Sequence, residues 1–214
     1  MHAPEPTLAA AEPADPELEA LPEPRRPGRW LALATMAATT LVAALLAWSL
    51  RHEAAYATRG AEPVEVADLG AASPPRDLAN AWVSADALLG ASGAVRYKRP
   101  AHSDSFRLAP VAGNEAIWIE VRVPDGMEGP RFVPPSSFVG RLVPFEEAGL
   151  RHAALPGLVH DVTGASVPEG AWLLVDGESP RELRWSLALA SLLLGVAAFN
   201  VWGIVRLMRP VRDT

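Results

Sequence analysis

WSLALASLLLGVAAFNVWGIV, residues 185–205, is a run of 21 uncharged residues bounded by Arg184 and Arg206. At about 1.5 Å of rise per residue, a helix of this length crosses the roughly 30 Å hydrocarbon layer of a bilayer. A second uncharged run, residues 30–50, lies near the other end of the chain. The sequence therefore predicts a membrane protein whose residues 51–184 are held at both ends by transmembrane helices.

The composition of the chain narrows the classes of function. The 214 residues carry a formal net charge of -6 and no cysteine, and residues 51–184 contain 13 Lys/Arg against 18 Asp/Glu. This mildly acidic, mixed surface is not the basic footprint of a nucleic-acid-binding protein. The lack of cysteine excludes disulfides, thiolate metal ligands and a cysteine nucleophile.

The basic residues near both runs predict the orientation of the chain. Arginines precede the first run and follow the second, so the positive-inside rule predicts that both termini are cytoplasmic and that residues 51–184 are exported. In a bacterium the membrane would be the inner membrane and the exported part periplasmic. The arginines are Arg25, Arg26, Arg29, Arg206, Arg209 and Arg212. Tryptophan side chains favour the headgroup layer of a bilayer, and four of them lie at or near the ends of the two runs: Trp30, Trp48, Trp185 and Trp202.

The two tails differ in composition. Residues 1–29 hold seven of the 21 prolines and six acidic residues ahead of the first arginine, which is typical of a disordered cytoplasmic tail. Residues 206–214 form a short basic tail.

A rival interpretation makes the first run a cleaved signal peptide. Ala55-Tyr56-Ala57 has the small-x-small pattern that signal peptidases cut after. The apolar run is longer than the usual 7–15 residues of such a signal, and the preceding region is acidic. Cleavage after Ala57 would leave a protein anchored only by residues 185–205.

Residues 51–184 are predicted to be mainly β. Residues 117–123 alternate apolar and polar side chains with one apolar face, and residues 95–98, 106–108, 137–143 and 171–175 are further strand candidates. A strand is also expected near Trp82. Leu155, Leu158, Val159 and Val162 have helical spacing, with Pro156 to start the helix and Gly164 to end it. The expected fold class is a small OB-like barrel or sandwich with one short helix.

Candidate catalytic and metal-binding residues are sparse. His152, His160, Asp161 and Ser166 could be arranged as a hydrolase triad, but no nucleophile elbow or S-x-x-K motif accompanies them. His152 with His160, or His102 with Asp104, supplies too few ligands for a metal ion. No phosphate-binding glycine motif occurs, and no cofactor is predicted.

Two groups of residues are candidates for protein contacts. Phe132, Pro134, Pro135 and Phe138 could form an exposed apolar ridge for a partner, or the phenylalanines could fill the core.

Within the membrane runs, an antiparallel hairpin would set Thr35 level with Asn200 and Thr40 level with Gly195. Asn200 should turn toward Thr35, another subunit or water, and Ser191 with Gly195 permits close approach of another helix. These residues predict a helix-packing face.

Five short sequences, spread over most of the chain, follow one another in the same order as in a known protein family. They are Trp48 at the end of the first run, Pro63-Val64 soon after it, the strand WIEVRVP of residues 118–124, FVGRL of residues 138–142, and Arg184-Trp185 at the start of the second run. In this order and in its architecture the chain resembles the Surfeit-locus family of cytochrome oxidase assembly factors. The family's asparagine-arginine-glycine-tryptophan strand and its asparagine-histidine pair are absent, so the resemblance implies architecture and no binding residue.

The function expected from the sequence is that of a non-catalytic accessory, assembly or scaffold protein. Its partners would be the lipid bilayer and other membrane protein subunits, with no nucleic acid. The alternative is a membrane-anchored enzyme or ligand-binding domain with a pocket near His152, His160 and Asp161.

Overall fold

The computed structural model describes residues 28–60, 62–66, 68–71, 74–99, 103–127 and 132–209. The first part of the chain forms α1 (Gly28–Ser49), α2 (Arg51–Ala57), β1 (Val64–Val66), β2 (Ala81–Asp86), β3 (Val95–Lys98) and β4 (Ser105–Val111). The second part forms β5 (Asn114–Val123), β6 (Ser137–Pro144), α3 (Leu155–Thr163), β7 (Trp172–Asp176) and α4 (Arg184–Met208). Most of the two predicted tails lies outside the described residues, including Arg25, Arg26 and Arg212. His102, in the middle of the chain, also lies outside them.

The strands form one seven-stranded sheet in the order β1-β2-β6-β7-β5-β4-β3. β1 pairs with β2, and β5 with β7, in parallel, whereas the other neighbours are antiparallel. The expected barrel is wrong, because the edge strands β1 and β3 do not pair with each other and the sheet stays open. Closing a barrel requires such pairing, and these edge strands have only three and four residues.

Both faces of the sheet are covered by apolar side chains. Ile117 and Ile119 of β5 pack into one core with Phe138, whereas Trp118 between them packs into a second core. The prediction of a single apolar face on β5 is therefore wrong, since Trp118 and Glu120 are buried as well. The reason is that a second layer of the fold covers this face.

Helix α3 belongs to this second layer, as the spacing of its apolar residues predicts. Leu155 and Val159 lie in the second core, and the helix is followed by Gly164 in the left-handed conformation with φ of 71°. The strand expected near Trp82 is also present as β2. Helix α3 connects β6 to β7 and leaves its polar face exposed.

Helices α1 and α4 form an antiparallel pair. They contain 22 and 25 residues with mean hydropathy of 1.9 and 2.0, and each is long and apolar enough to span a membrane. Arg29 donates from its guanidinium to the Leu207 carbonyl at 2.5 Å, which joins the start of α1 to the end of α4. Most apolar side chains on the outer faces of both helices are exposed.

The contact between α1 and α4 lies about one helical turn further along α1 than expected. Asn200 donates to Thr39 Oγ1 at 2.8 Å rather than to Thr35, which is exposed. The close approach is at Gly203, where an added Cβ would lie 3.1 Å from Met36 Cε.

Three further residues of the expected face have other surroundings. Thr40 is partly buried and donates to the Met36 carbonyl within α1. Ser191 and Gly195 are exposed, and a Cβ on Gly195 would meet no atom within 4 Å. A role for Ser191 and Gly195 in packing against another chain stays a prediction.

Replacing Gly140 by alanine should disrupt the centre of the sheet. A Cβ on Gly140 would lie 2.0 Å from the carbonyl oxygen of Val175, a backbone atom of β7 that cannot move without breaking the pairing. We expect Gly140→Ala to lower the free energy of unfolding by about 3 kcal/mol, measured by denaturant unfolding of the full chain in detergent. The control Gly157→Ala, on an open position of α3, should leave stability unchanged or slightly raised. Equal stability of the two variants would contradict this account of the β6–β7 contact.

Candidate functional site

A cavity of about 160 Å³ lies where α1 ends and α4 begins, against one side of the sheet. It receives side chains from α2, from β6, from the loop that precedes α3 and from the segment that links β7 to α4. Its lining residues are Ser49, Leu50, Glu53, Arg141, Ala148, Leu150, Arg151, His152, Glu178, Leu183 and Trp185. The lining therefore combines apolar groups with two arginines, two glutamates and a histidine.

Arg141 is the buried cation of this cavity. It is only 1% exposed although it lies on β6, because α2 and the β7–α4 segment cover it. Its Nε donates to Asn80 Oδ1 at 2.8 Å, its Nη1 lies 3.7 Å from Glu178 Oε2, and its guanidinium lies 5.1 Å from the Tyr56 ring centroid. Its Nη2 has no hydrogen-bond partner among the residues that the structure describes. A buried guanidinium with one free edge can bind an oxyanion.

Helix α2 is fastened to the sheet domain around this arginine. The Tyr56 hydroxyl donates to the Glu178 carbonyl at 2.6 Å, and burial, followed by the Glu178 charge, raises the pKa of Tyr56. Asn80 donates from Nδ2 to the His52 carbonyl at 2.8 Å. Asn80 has φ of 59°, a conformation that asparagine tolerates better than most residues. The segment between α1 and the sheet is therefore a docked helix.

A second buried polar cluster lies behind the cavity, centred on Glu120. Its carboxylate accepts hydrogen bonds from the Tyr97 hydroxyl at 2.5 Å and from Arg99 Nη2 at 2.6 Å, and lies 3.2 Å from His152 Nε2. Burial opposes ionisation of Glu120, but His152, Arg99 and Tyr97 together outweigh it and hold the pKa of Glu120 below its usual range. Burial, followed by the Glu120 charge, raises the pKa of Tyr97.

Both ring nitrogens of His152 are engaged. Nδ1 lies 2.9 Å from the Ala148 carbonyl, which can only accept, so Nδ1 carries a proton. Nε2 lies 3.0 Å from Arg99 Nη2 and faces Glu120. Neither nitrogen is left to act as a base toward the cavity. The Ser49 hydroxyl, also at the cavity, donates to the Leu46 carbonyl within α1.

The structure separates the residues of the expected pocket. His152 lines the cavity, but His160 and Asp161 are exposed on α3 and Ser166 is exposed beyond it. No group of three or more metal-ligating side chains occurs among the described residues.

The proposed partner ridge is divided between core and surface. Phe138 is fully buried and Phe132 packs partly buried against the same core, so the idea of an exposed ridge is wrong for Phe138. Phe138 and Leu142 share the inward face of β6, which explains the burial. Pro134 is partly exposed and Pro135 exposed.

Sequence reasoning missed most of the cavity. A signal for two residues was present, because Glu120 lies between apolar residues in IWIEVRV, whose other charge is the exposed Arg122, and Arg141 is the single charge in SFVGRLV. A charge at such a position is buried when a second layer covers the strand, and it must then find partners. Nothing local indicated Asn80, Tyr56 or Glu178 as those partners.

Comparisons with protein-family models, with curated proteins and with solved structures found no match to this chain.

Neutralising Glu120 should strongly destabilise the fold. Glu120→Gln leaves Arg99, which is mostly buried, without its anionic partner. We expect a loss of about 3–5 kcal/mol in the free energy of unfolding at pH 7, as for other broken buried ion pairs. The matched control is Glu115→Gln, an exposed carboxylate on the same strand. Similar denaturant midpoints for both variants would contradict the assigned role of Glu120.

The difference between wild type and Glu120→Gln should depend on pH. The folded-state pKa of Glu120 lies below its ordinary value of 4.5, so the ionised carboxylate stabilises the fold fully above that value. This contribution is lost as the pH falls below 4.5 through the folded pKa. Unfolding midpoints measured between pH 7 and pH 3 should therefore converge for the two proteins, and a constant difference would contradict the argument.

Proposed function

We propose that this protein is a non-catalytic membrane accessory subunit that acts in assembly or as a scaffold and holds a β-rich domain against the outer surface of a membrane. The single observation that carries the proposal is the docking of α2. Tyr56 and Asn80 fasten this helix to the sheet domain directly after α1, and α4 begins a few residues after Glu178. A domain held this way cannot move far from the ends of α1 and α4.

The membrane assignment rests on α1 and α4. Only 11% and 0% of their most apolar windows are buried, which differs from the mostly buried core helix of a soluble domain and supports the proposal. Large apolar side chains such as Leu45, Leu192 and Phe199 are exposed along them. Lipid or other transmembrane helices would cover these faces. The arginine bias favours cytoplasmic termini and an exported sheet domain.

The contacts of α2 favour a retained first helix. Tyr56 and Ala57, next to the signal-peptidase pattern, are buried and helical, and Ala57 packs with Leu183 at the start of α4. Proteolysis occurs preferentially at exposed loops. Removing residues 1–57 would also strip Arg141 of its Tyr56 contact and Asn80 of its His52 contact.

The assembly role is proposed by analogy. The Surfeit-locus family, which the chain resembles in the order of its elements, supplies the class of function but no residues. The engaged nitrogens of His152 count against the enzyme alternative, because a general base needs a free nitrogen within reach of a substrate. A ligand-binding role stays open, since the cavity offers a free guanidinium edge.

Single-cysteine variants can test the orientation, because the natural chain has no cysteine. Ser136 is exposed on the sheet domain, and Thr214 follows α4 in the sequence. We expect a membrane-impermeant maleimide to label Ser136→Cys in intact cells and Thr214→Cys only after lysis. The reverse pattern would overturn the orientation. Release of the chain by alkaline carbonate would overturn the membrane assignment itself.

Replacement of Gly195 tests the proposed assembly role. Within the chain a side chain at Gly195 meets no atom, so Gly195→Leu should leave the unfolding midpoint unchanged. If α4 packs against another subunit through this small residue, the variant should reduce the yield of the complex purified in mild detergent. The control Val196→Leu adds one methylene at a neighbouring exposed position. Equal yields of the complex from both variants would contradict packing through Gly195.

A further inference from the structure

The cavity between α2 and the sheet domain presents groups of both signs that have unused hydrogen-bonding capacity. Among the described residues, Arg141 Nη2 donates to no acceptor and Glu53 Oε2 accepts from no donor. Glu178 Oε2 also accepts no hydrogen bond, although it forms an ion pair with Arg141 Nη1 at 3.7 Å. All three side chains line the cavity, and Arg141 and Glu178 are more than nine-tenths buried. A ligand that satisfies them offers an acceptor to Arg141 and a donor to the two carboxylates, and an oxyanion joined to an ammonium group does both with charge-assisted hydrogen bonds.

We propose that this cavity binds the headgroup of a zwitterionic phospholipid. The phosphate would accept from Arg141 and Arg151, and the ammonium would donate to Glu53 and Glu178. Guanidinium groups suit phosphate because several N–H donors match its oxygens. The assignment rests on the proposed membrane insertion of α1 and α4.

The charges of the lining favour a zwitterion over a simple anion. Two guanidinium groups face two carboxylates, and Glu178 Oε1 already lies 3.2 Å from Arg151 Nη1. An anionic ligand would meet the repulsion of Glu53 and Glu178 at short range, whereas a zwitterion leaves the cavity neutral. His152 adds no ligand here because its nitrogens are engaged.

The position of the cavity suits a lipid. Leu50 follows the last residue of α1 and Trp185 is the second residue of α4, so the lining includes both helix ends on this side. Tryptophans at such ends occupy the headgroup layer of a bilayer. Leu150, also in the lining, is 77% exposed beside them. Acyl chains leaving the cavity would therefore meet the apolar sides of α1 and α4.

The size of the cavity limits what enters it. About 160 Å³ corresponds to roughly five water molecules at about 30 Å³ each. This space is of the scale of a small polar headgroup such as phosphoethanolamine and is too small to hold the acyl chains as well.

A ligand titration of the full chain in dodecyl maltoside tests the assignment. Dihexanoyl-phosphatidylethanolamine should raise the melting temperature, whereas dihexanoyl-phosphatidylglycerol, phosphoethanolamine alone and inorganic phosphate should need about ten-fold higher concentration or more. Arg151→Gln and Glu53→Gln should each weaken the response to phosphatidylethanolamine by about ten-fold, the loss expected for one charged hydrogen bond. Glu53 is hydrogen-bonded to neither Asn80 nor Tyr56, whereas Arg151 also pairs with Glu178 at 3.2 Å, so each response is measured from the variant's own ligand-free melting temperature. Circular dichroism should show an intact fold for both variants.

Arg96→Gln and Glu115→Gln are the matched controls, since both residues are exposed on strands outside the cavity lining. Equal responses to phosphatidylglycerol and phosphatidylethanolamine, or an unchanged response in Glu53→Gln, would overturn the zwitterion. An equal response to phosphoethanolamine alone would overturn a lipid as the ligand. A chain that resists carbonate extraction but shows no response refutes the lipid site and leaves the proposed function standing, whereas a carbonate-soluble chain refutes the proposed function.

Discussion

The burial of Arg141 is the constraint on which the arrangement of this protein depends. A guanidinium on an inner strand must be solvated by the protein when water is removed, because an unpaired buried charge costs several kcal/mol or more. Asn80, Glu178 and the Tyr56 ring supply that environment from three different segments. Each of these partners is tied to a further element, so one strand residue holds α2, the start of β2 and the β7–α4 segment together.

This arrangement links the sheet domain to the ends of both apolar helices. The Tyr56 hydroxyl reaches the Glu178 carbonyl across 122 positions of sequence, and these two residues lie after α1 and before α4 respectively. The cavity lies beside this contact, and Arg141 and Glu178 line it. Anchoring and ligand binding would thus use one set of residues.

The elements with local patterns were predictable from the sequence, and those defined by distant contacts were not. Uncharged runs predicted α1 and α4, alternation predicted β5, and the spacing of Leu155 and Val159 predicted α3. The parallel β1–β2 and β5–β7 pairs were missed, as was α2, whose seven residues are held by tertiary contacts. The contact of Asn200 lies one turn further along α1 than expected, at Thr39, because matching the ends of the two uncharged runs does not fix the relative depth of the helices to within a turn. Arg141 was visible as a charge within an apolar strand, but its partners lie far along the chain.

Hydrogen exchange of α2 in the full chain, reconstituted into lipid nanodiscs, measures whether this helix is docked on the sheet domain. If Tyr56, Asn80 and Arg141 fasten α2 to the sheet domain, its amides should be protected to a degree comparable with the edge of the sheet, and Tyr56→Phe should lower that protection selectively while β5 stays protected. Exchange of the α2 amides at the rate of an unstructured peptide, with β5 protected, would contradict the account, because the sheet domain would then be tethered rather than docked.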